Sequence, residues 1–140
     1  MTTNWIYNGV ELIEIPSGVI GFVYLITNIK NGKMYVGKKG ITSTRRVKNR
    51  NSSRRKIIKV DSNYRDYYGS NSLLLADVEN MGKHNFRREI LHFCKTKAEM
   101  AYLEIKEQIN RKVLFDESYY NNFIGCRIHS KHFKGWIDDN

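Results

Sequence analysis

The stretch from Gly21 to Lys38 constrains this chain most. It reads Gly-Phe-Val-Tyr-Leu-Ile-Thr-Asn-Ile-Lys-Asn-Gly-Lys-Met-Tyr-Val-Gly-Lys, two runs of β-branched and aromatic residues around Asn31-Gly32. Asn-Gly between such runs is a strong short-range hairpin signal, because both residues tolerate the positive φ that a tight hairpin turn demands. An antiparallel pair is therefore predicted, with Tyr24 and Tyr35 at its two ends. Lys38 and a basic segment follow directly. Two phenols and a lysine near one sheet end, beside many arginines, point to a phosphate-handling site.

At 140 residues the chain is expected to hold one domain with one modest core. Its formal charge of +10, from 24 Lys+Arg against 14 Asp+Glu, favours a polyanionic partner, nucleic acid before membrane. No apolar run approaches the roughly 20 residues needed to span a bilayer, and the start, Met-Thr-Thr-Asn-Trp, lacks the pattern of a secretory signal. Cys94 and Cys126 are expected as reduced thiols in a bacterial or phage-infected cytoplasm.

The remaining pattern predicts an α/β (α+β) fold with a small three-stranded antiparallel sheet flanked by helices. Residues 1–20 read as an N-terminal β extension, Trp5-Ile6-Tyr7 and Val10–Ile15 flanking the turn signal Asn8-Gly9. Thr42, Ser43 and Thr44 are candidate caps for a short helix beginning near Arg45, with a loop beyond Arg50. Residues 70–83 read as a helix capped by Ser70 or Ser72 and closed by Gly82. Phe86–Phe93 alternates apolar and polar residues and reads as the third strand. A second helix opens at Lys97-Ala98 and runs to about Lys112, with Met100, Leu103, Ile105 and Ile109 as its apolar face. The main domain is placed at 21–122, and 123–140 is read as a basic tail.

Phe22-Val23-Tyr24, Tyr35-Val36-Gly37 and the intervening Asn-x-x-Asn-Gly-Lys turn resemble the GIY-YIG nuclease family, including phage and homing-type members. Phe22 departs from the pattern, standing where the family usually has glycine. The resemblance covers roughly residues 21–122 and implies metal-dependent endonuclease chemistry. It implies that Tyr24 lies at the attacking water as general base. A phenol, with an ordinary pKa of about 10, needs cationic help for that near neutrality, and Lys38 is the implied source. Tyr35 is implied to bond water or phosphate from the neighbouring strand. Arg45, ten residues past Tyr35, is the implied phosphate-gripping arginine, with Arg46 one residue of slip away. Tyr67, in Tyr-Tyr-Gly-Ser, is the implied further active-site group. Glu104 is the implied ligand of Mg²⁺ or Mn²⁺, with Glu107 and Glu99 as alternatives. Asn121 is implied either to bind a phosphate oxygen or to lock the loop around the site. Water attack in line, leaving 5′-phosphate and 3′-hydroxyl ends, is the implied reaction.

The expected partner is double-stranded DNA, bound by a monomer or a homodimer through Lys38, Lys39, Arg46, Lys48, Arg50, Arg54, Arg55 and Lys56. Two other classes compete: a non-catalytic nucleic-acid-binding protein on the same fold, and a viral assembly protein. Neither needs Tyr24 or Glu104. Cys126, His129 and His132, with Cys94 and His92 elsewhere, carry zinc-binding side chains, but their spacing matches no zinc module and there is no paired Cys-x-x-Cys.

Overall fold

The computed structural model describes residues 3–48, 50, 54, 56–125 and 130–138. Its described elements are β1 (Ile6–Tyr7), β2 (Val10–Glu11), β3 (Gly21–Asn28), β4 (Met34–Gly40), β5 (Thr42–Val47), β6 (Lys56–Asp61), α1 (Ser72–Met81), β7 (Phe86–Cys94) and α2 (Lys97–Asn110). The fold is mixed α+β, built on a five-stranded sheet in the order β2-β1-β7-β3-β4. Three strands were expected. The difference is the N-terminal hairpin, which joins the same sheet because β1 runs parallel to β7. Only Val10–Glu11 of the expected Val10–Ile15 strand pairs, and Asn8 and Gly9 supply the turn with φ of 51° and 78°. No helix among the described residues is long and apolar enough to cross a membrane.

Strand β3 is the centre of the structure. It pairs antiparallel with β4 on one side and β7 on the other, and it is covered on both faces. Period-two alternation sends Phe22, Tyr24 and Ile26 to one face and Val23 and Leu25 to the other. The first set joins a core of Trp5, Tyr64, Tyr68, Leu74, Val78, Phe86, Ile90 and Tyr120, with α1 above it. The second packs with Val36, Cys94, Met100 and Val113 beneath α2. Trp5 is 3% exposed and its indole Nε1 donates to the Tyr64 carbonyl at 2.8 Å, so the N-terminal segment is built into the core.

The connection from β3 to β4 closes between Asn28 and Lys33, wider than a two-residue Asn31-Gly32 turn. Asn28 N donates to Lys33 O at 2.7 Å and Gly32 N donates to Asn28 O at 2.8 Å. The two asparagines account for this. Asn28 Oδ1 accepts from Lys30 N and Asn31 Oδ1 accepts from Lys33 N, which curls the backbone locally.

Where a short helix was expected near Arg45, the chain forms a strand, and the loop expected beyond Arg50 lies largely outside the described residues. β5 and β6 pair antiparallel from Thr42↔Asp61 to Val47↔Lys56 as a separate two-stranded ribbon. The capping signal of Thr42-Ser43-Thr44 is overridden because these residues, Val47, Ile57, Ile58 and Val60 favour a pleated backbone when a partner strand is present. The ribbon springs from the end of β4, and its base is closed by Ser62 N donating to Ile41 O at 3.0 Å.

Two smaller corrections concern the helices. The N-cap of α1 is Asn71, not Ser70 or Ser72; its Oδ1 accepts from Leu73 N and Leu74 N. Asn71 also uses Nδ2 to bond the Tyr120 carbonyl at 2.9 Å, a contact a serine hydroxyl cannot duplicate. Helix α2 ends at Asn110, and Ile109 is 58% exposed rather than part of the apolar face. Gln108 is buried there instead.

Candidate active site

Strand β4 lies at the edge of the sheet, and its free edge is satisfied from outside the ladder. Met34 N donates to Ser118 O at 2.8 Å, and Tyr120 N to Met34 O at 2.7 Å. At Val36, the N–H donates to Asn121 Oδ1 at 3.0 Å, while the carbonyl accepts Asn121 Nδ2 at 2.8 Å and Gln108 Nε2 at 3.1 Å. At Lys38 the backbone N–H donates to the Glu104 carboxylate. Each second residue of the edge thus has a partner, as an exposed strand edge requires. Glu104 and Gln108 stand one helical turn apart on α2, the spacing that lets both reach the same strand.

Beyond this edge opens a cavity of about 450 Å³ lined by Tyr24, Tyr35, Lys38, Glu104 and Asn121, together with Ser70, Asn71, Ser72, Gln108, Asn122, Phe123 and Gly125. Five sequence-predicted site residues, drawn from two strands, a helix and a loop, therefore meet in one place. Tyr24 reaches it across β4. Its strand partner is Gly37, and a Cβ built there would stand 2.4 Å from the phenol oxygen of Tyr24. Only glycine leaves room for the ring. The Tyr24 ring lies 6.2 Å from that of Tyr35 and 6.0 Å, edge to face, from that of Tyr67. Tyr35 shares a hydrogen bond of 3.3 Å with Ser70 Oγ.

Alternation along β4 separates the two lysines. Lys38 Nζ stands 3.8 Å from Glu104 Oε1 on the α2 side. Lys39 Nζ stacks 4.2 Å from the centre of the Tyr67 ring on the other. Tyr67 is also held from behind: Arg88, 3% exposed, donates through Nη1 to the carbonyls of Arg65 and Tyr67, each at 2.9 Å, and through Nη2 to that of Thr3.

Burial raises the pKa of Tyr24 well above that of a free phenol, with the neighbouring Tyr67, Tyr35 and Glu104 adding to the effect. Burial raises Tyr35 as well. Glu104, its side chain 14% exposed, is shifted upward by desolvation, which outweighs the opposing pull of Lys38. The site therefore disfavours extra negative charge as it stands. Glu107 is placed differently. It accepts from His92 Nε2 at 2.8 Å and Arg111 Nε at 2.9 Å, away from the cavity, and these partners pull its carboxyl down to about 2. Glu99 lies in the first turn of α2, where its N–H is capped by Thr96 Oγ1.

The backbones of Arg45 and Arg46 belong to β5, whereas their side chains lie outside the described residues. Arg55 lies outside them entirely, and Lys48, Arg50, Arg54 and Lys56 are exposed. Cys126 and His129 also fall outside. Among the described residues no three His, Cys, Asp or Glu side chains come together as a metal cluster. Burial pushes the Cys94 thiol up to about 12, away from the thiolate that zinc requires. The cavity residues missed from sequence are Ser70, Asn71, Ser72, Gln108, Asn122, Phe123 and Gly125. Gln108 was signalled by its one-turn spacing from Glu104. Phe123 carried no local signal.

The family model "Putative endonuclease segE, GIY-YIG domain" matches residues 5–124. "Putative endonuclease segE" of Enterobacteria phage T4 is 31% identical over 100 residues, covering 71% of this chain and 39% of the relative. "Putative endonuclease segD" of the same phage is 30% identical over 105 residues, covering 75% and 38%. The chain thus spans about two-fifths of the length of these relatives. No solved structure matches it. A family match over most of its length makes this chain a member of the GIY-YIG endonuclease family.

Proposed function

We propose that this chain hydrolyses DNA phosphodiester bonds, by water attack, with a divalent cation held at Glu104. The convergence of Tyr24, Tyr35, Lys38, Glu104 and Asn121 on one cavity carries the reading. The donor set fits Mg²⁺ or Mn²⁺. Glu104 is a hard oxygen ligand in a partly desolvated place, with Lys38 at 3.8 Å and open cavity beside it. Such a cation keeps several waters and shares its remaining shell with phosphate. When bound, it supplies positive charge against the negative charge that grows on the phosphate.

The chain's own groups do the rest. Lys38 and Arg45, or Arg46, hold phosphate oxygens and stabilise the crowded transition state. Tyr35, anchored to Ser70, orients the phosphate or the water. Tyr24 positions the attacking water and takes part in removing its proton; its raised pKa keeps it a neutral hydrogen-bonding phenol between turnovers. Tyr67, its ring held under the Lys39 ammonium, steadies Tyr24. Asn121 fixes the edge strand rather than reaching outward, since both ends of its amide are committed to Val36. The water oxygen bonds to phosphorus as the bond to the 3′ oxygen breaks. The water's proton is lost through the tyrosines to solvent, and the 3′ oxygen gains one. The products are a 5′-phosphate and a 3′-hydroxyl.

Duplex DNA is the proposed substrate, in the cytoplasm of a bacterial or phage-infected cell. A two-stranded ribbon is narrow enough for the major groove, which is about 12 Å wide. Here β5–β6 forms a separate two-stranded ribbon that carries the exposed Lys56 and Lys59. One site cuts one strand at a time, so a double-strand break takes two events or a homodimer. The test is supercoiled plasmid with Mg²⁺, against EDTA and a Glu104→Ala variant. Nicked or linear product that disappears in both controls is expected. Wild-type protein that shifts the plasmid on a gel but never cuts it, in Mg²⁺ or Mn²⁺, would instead favour a non-catalytic binding protein.

A further inference from the structure

Among the described residues, Phe123 is the one large apolar side chain on the rim of the cavity that is open to solvent, at 75% exposure. It does not belong to a loose tail. Two residues before it, Asn121 is 8% exposed and clamped to Val36 by both ends of its amide. One residue after it, Ile124 packs against the core beneath α2. The backbone therefore enters and leaves position 123 from fixed points, and the ring is presented at the mouth of a site whose other walls are polar: Ser70, Ser72, Tyr35, Lys38 and Glu104. Holding a phenyl ring in water has no stabilising effect on the fold.

We propose that Phe123 is a substrate-positioning residue that stacks on a nucleobase next to the scissile phosphate. The inference rests on the endonuclease reading. A polar pocket that seats a phosphodiester necessarily has a base within a nucleotide of it. Every base offers a flat π-face that an aromatic ring accepts without regard to sequence. In a duplex the base pairs and stacks with its neighbours, so contact with Phe123 requires local unstacking at the cut. The ring thereby favours DNA that is already distorted, mismatched, branched or single-stranded at that step.

The experiment uses the full chain and a duplex whose cut site has been mapped with wild-type protein. A fluorescent adenine analogue is placed on either side of the scissile phosphate, and binding is read in a Glu104→Gln background so that no cutting intervenes. Phe123→Ala is expected to raise KM by about 5- to 100-fold, the range of one lost stacking contact. It should leave the unfolding midpoint unchanged and abolish the fluorescence change on one side of the cut. Phe123→Trp is expected to retain both, and Phe123→Leu to behave like the alanine variant. A Phe123→Ala protein within twofold of wild type in KM, with the fluorescence change intact, overturns the inference while plasmid cutting upholds the endonuclease reading. Wild-type activity from Phe123→Leu also overturns it, since any apolar contact would then suffice. A wild-type chain that neither cuts nor binds any of these DNAs overturns both.

Discussion

Glu104 sets its proposed role as cation ligand against stability. Its carboxyl is shifted upward mainly by desolvation, with Lys38 offsetting only part. A raised carboxyl pKa means that the folded state carries a cost once pH exceeds it, so the anion at neutral pH works against folding. Glu104→Gln keeps the shape and removes the charge. Its unfolding midpoint is expected to rise by about 1–3 °C at pH 7, while plasmid cutting falls at least 100-fold. Mg²⁺ should raise the midpoint of the wild type and leave that of Glu104→Gln unmoved, which calorimetry in both buffers will show. A midpoint that falls on substitution would mean that Lys38 holds the carboxylate more firmly than the desolvation argument allows. At this scale much of the site was legible in the sequence. Tyr24, Tyr35, Gly37 and Lys38 are neighbours along or across one hairpin, and local signals fix hairpins. Glu104 was legible through its place in Tyr-Leu-Glu on a helix whose start was clear.

Elements were less legible, and the basic segment shows why. A helix needs only its own residues, so a run of Ser and Thr before arginines looks like a cap. A strand needs its partner, and the partner of β5 comes only after the basic segment. The same holds for β1, whose parallel neighbour β7 lies some eighty residues along the chain. Non-local pairing leaves no signature in a short window. The ribbon it creates makes its own prediction. Lys56 and Lys59 are exposed on β6, and their replacement together by alanine should weaken duplex binding without changing the fold. Each phosphate contact contributes about 0.9 to the slope of log affinity against log salt concentration. The slope should therefore fall by about 1–2 in filter-binding or anisotropy titrations between low and moderate salt. An unchanged slope would place the DNA elsewhere on the molecule.

For the whole molecule, an acid limb of stability is expected to arise away from the cavity. Glu107 bridges His92 on β7 and Arg111 at the end of α2, and its carboxyl lies at about 2 against an ordinary 4.5. A lowered carboxyl pKa contributes stability that is complete above the unfolded value and is lost as pH falls through the folded one. The window here runs from about pH 4.5 down to about 2. Urea unfolding of the wild type should weaken steadily across it. Glu107→Gln should be about 1–3 kcal/mol less stable at pH 7 and show a flatter acid profile. A parallel pair of profiles would assign the acid limb to other carboxylates. The substitution stands outside the cavity, so cutting by the folded variant is expected to persist.

Arg88 has a practical consequence for anyone handling this protein. One guanidinium grips the backbone at Thr3 and the backbone at Tyr67 together, while its plane lies against Trp5 and Tyr68. The first few residues are thus mechanically in series with a ring that touches Tyr24. Bulk attached at the amino end, such as an affinity tag or a tether to a surface, is expected to disturb Tyr24 both through Arg88 and through Trp5, whose ring lies 5.3 Å from that of Tyr24.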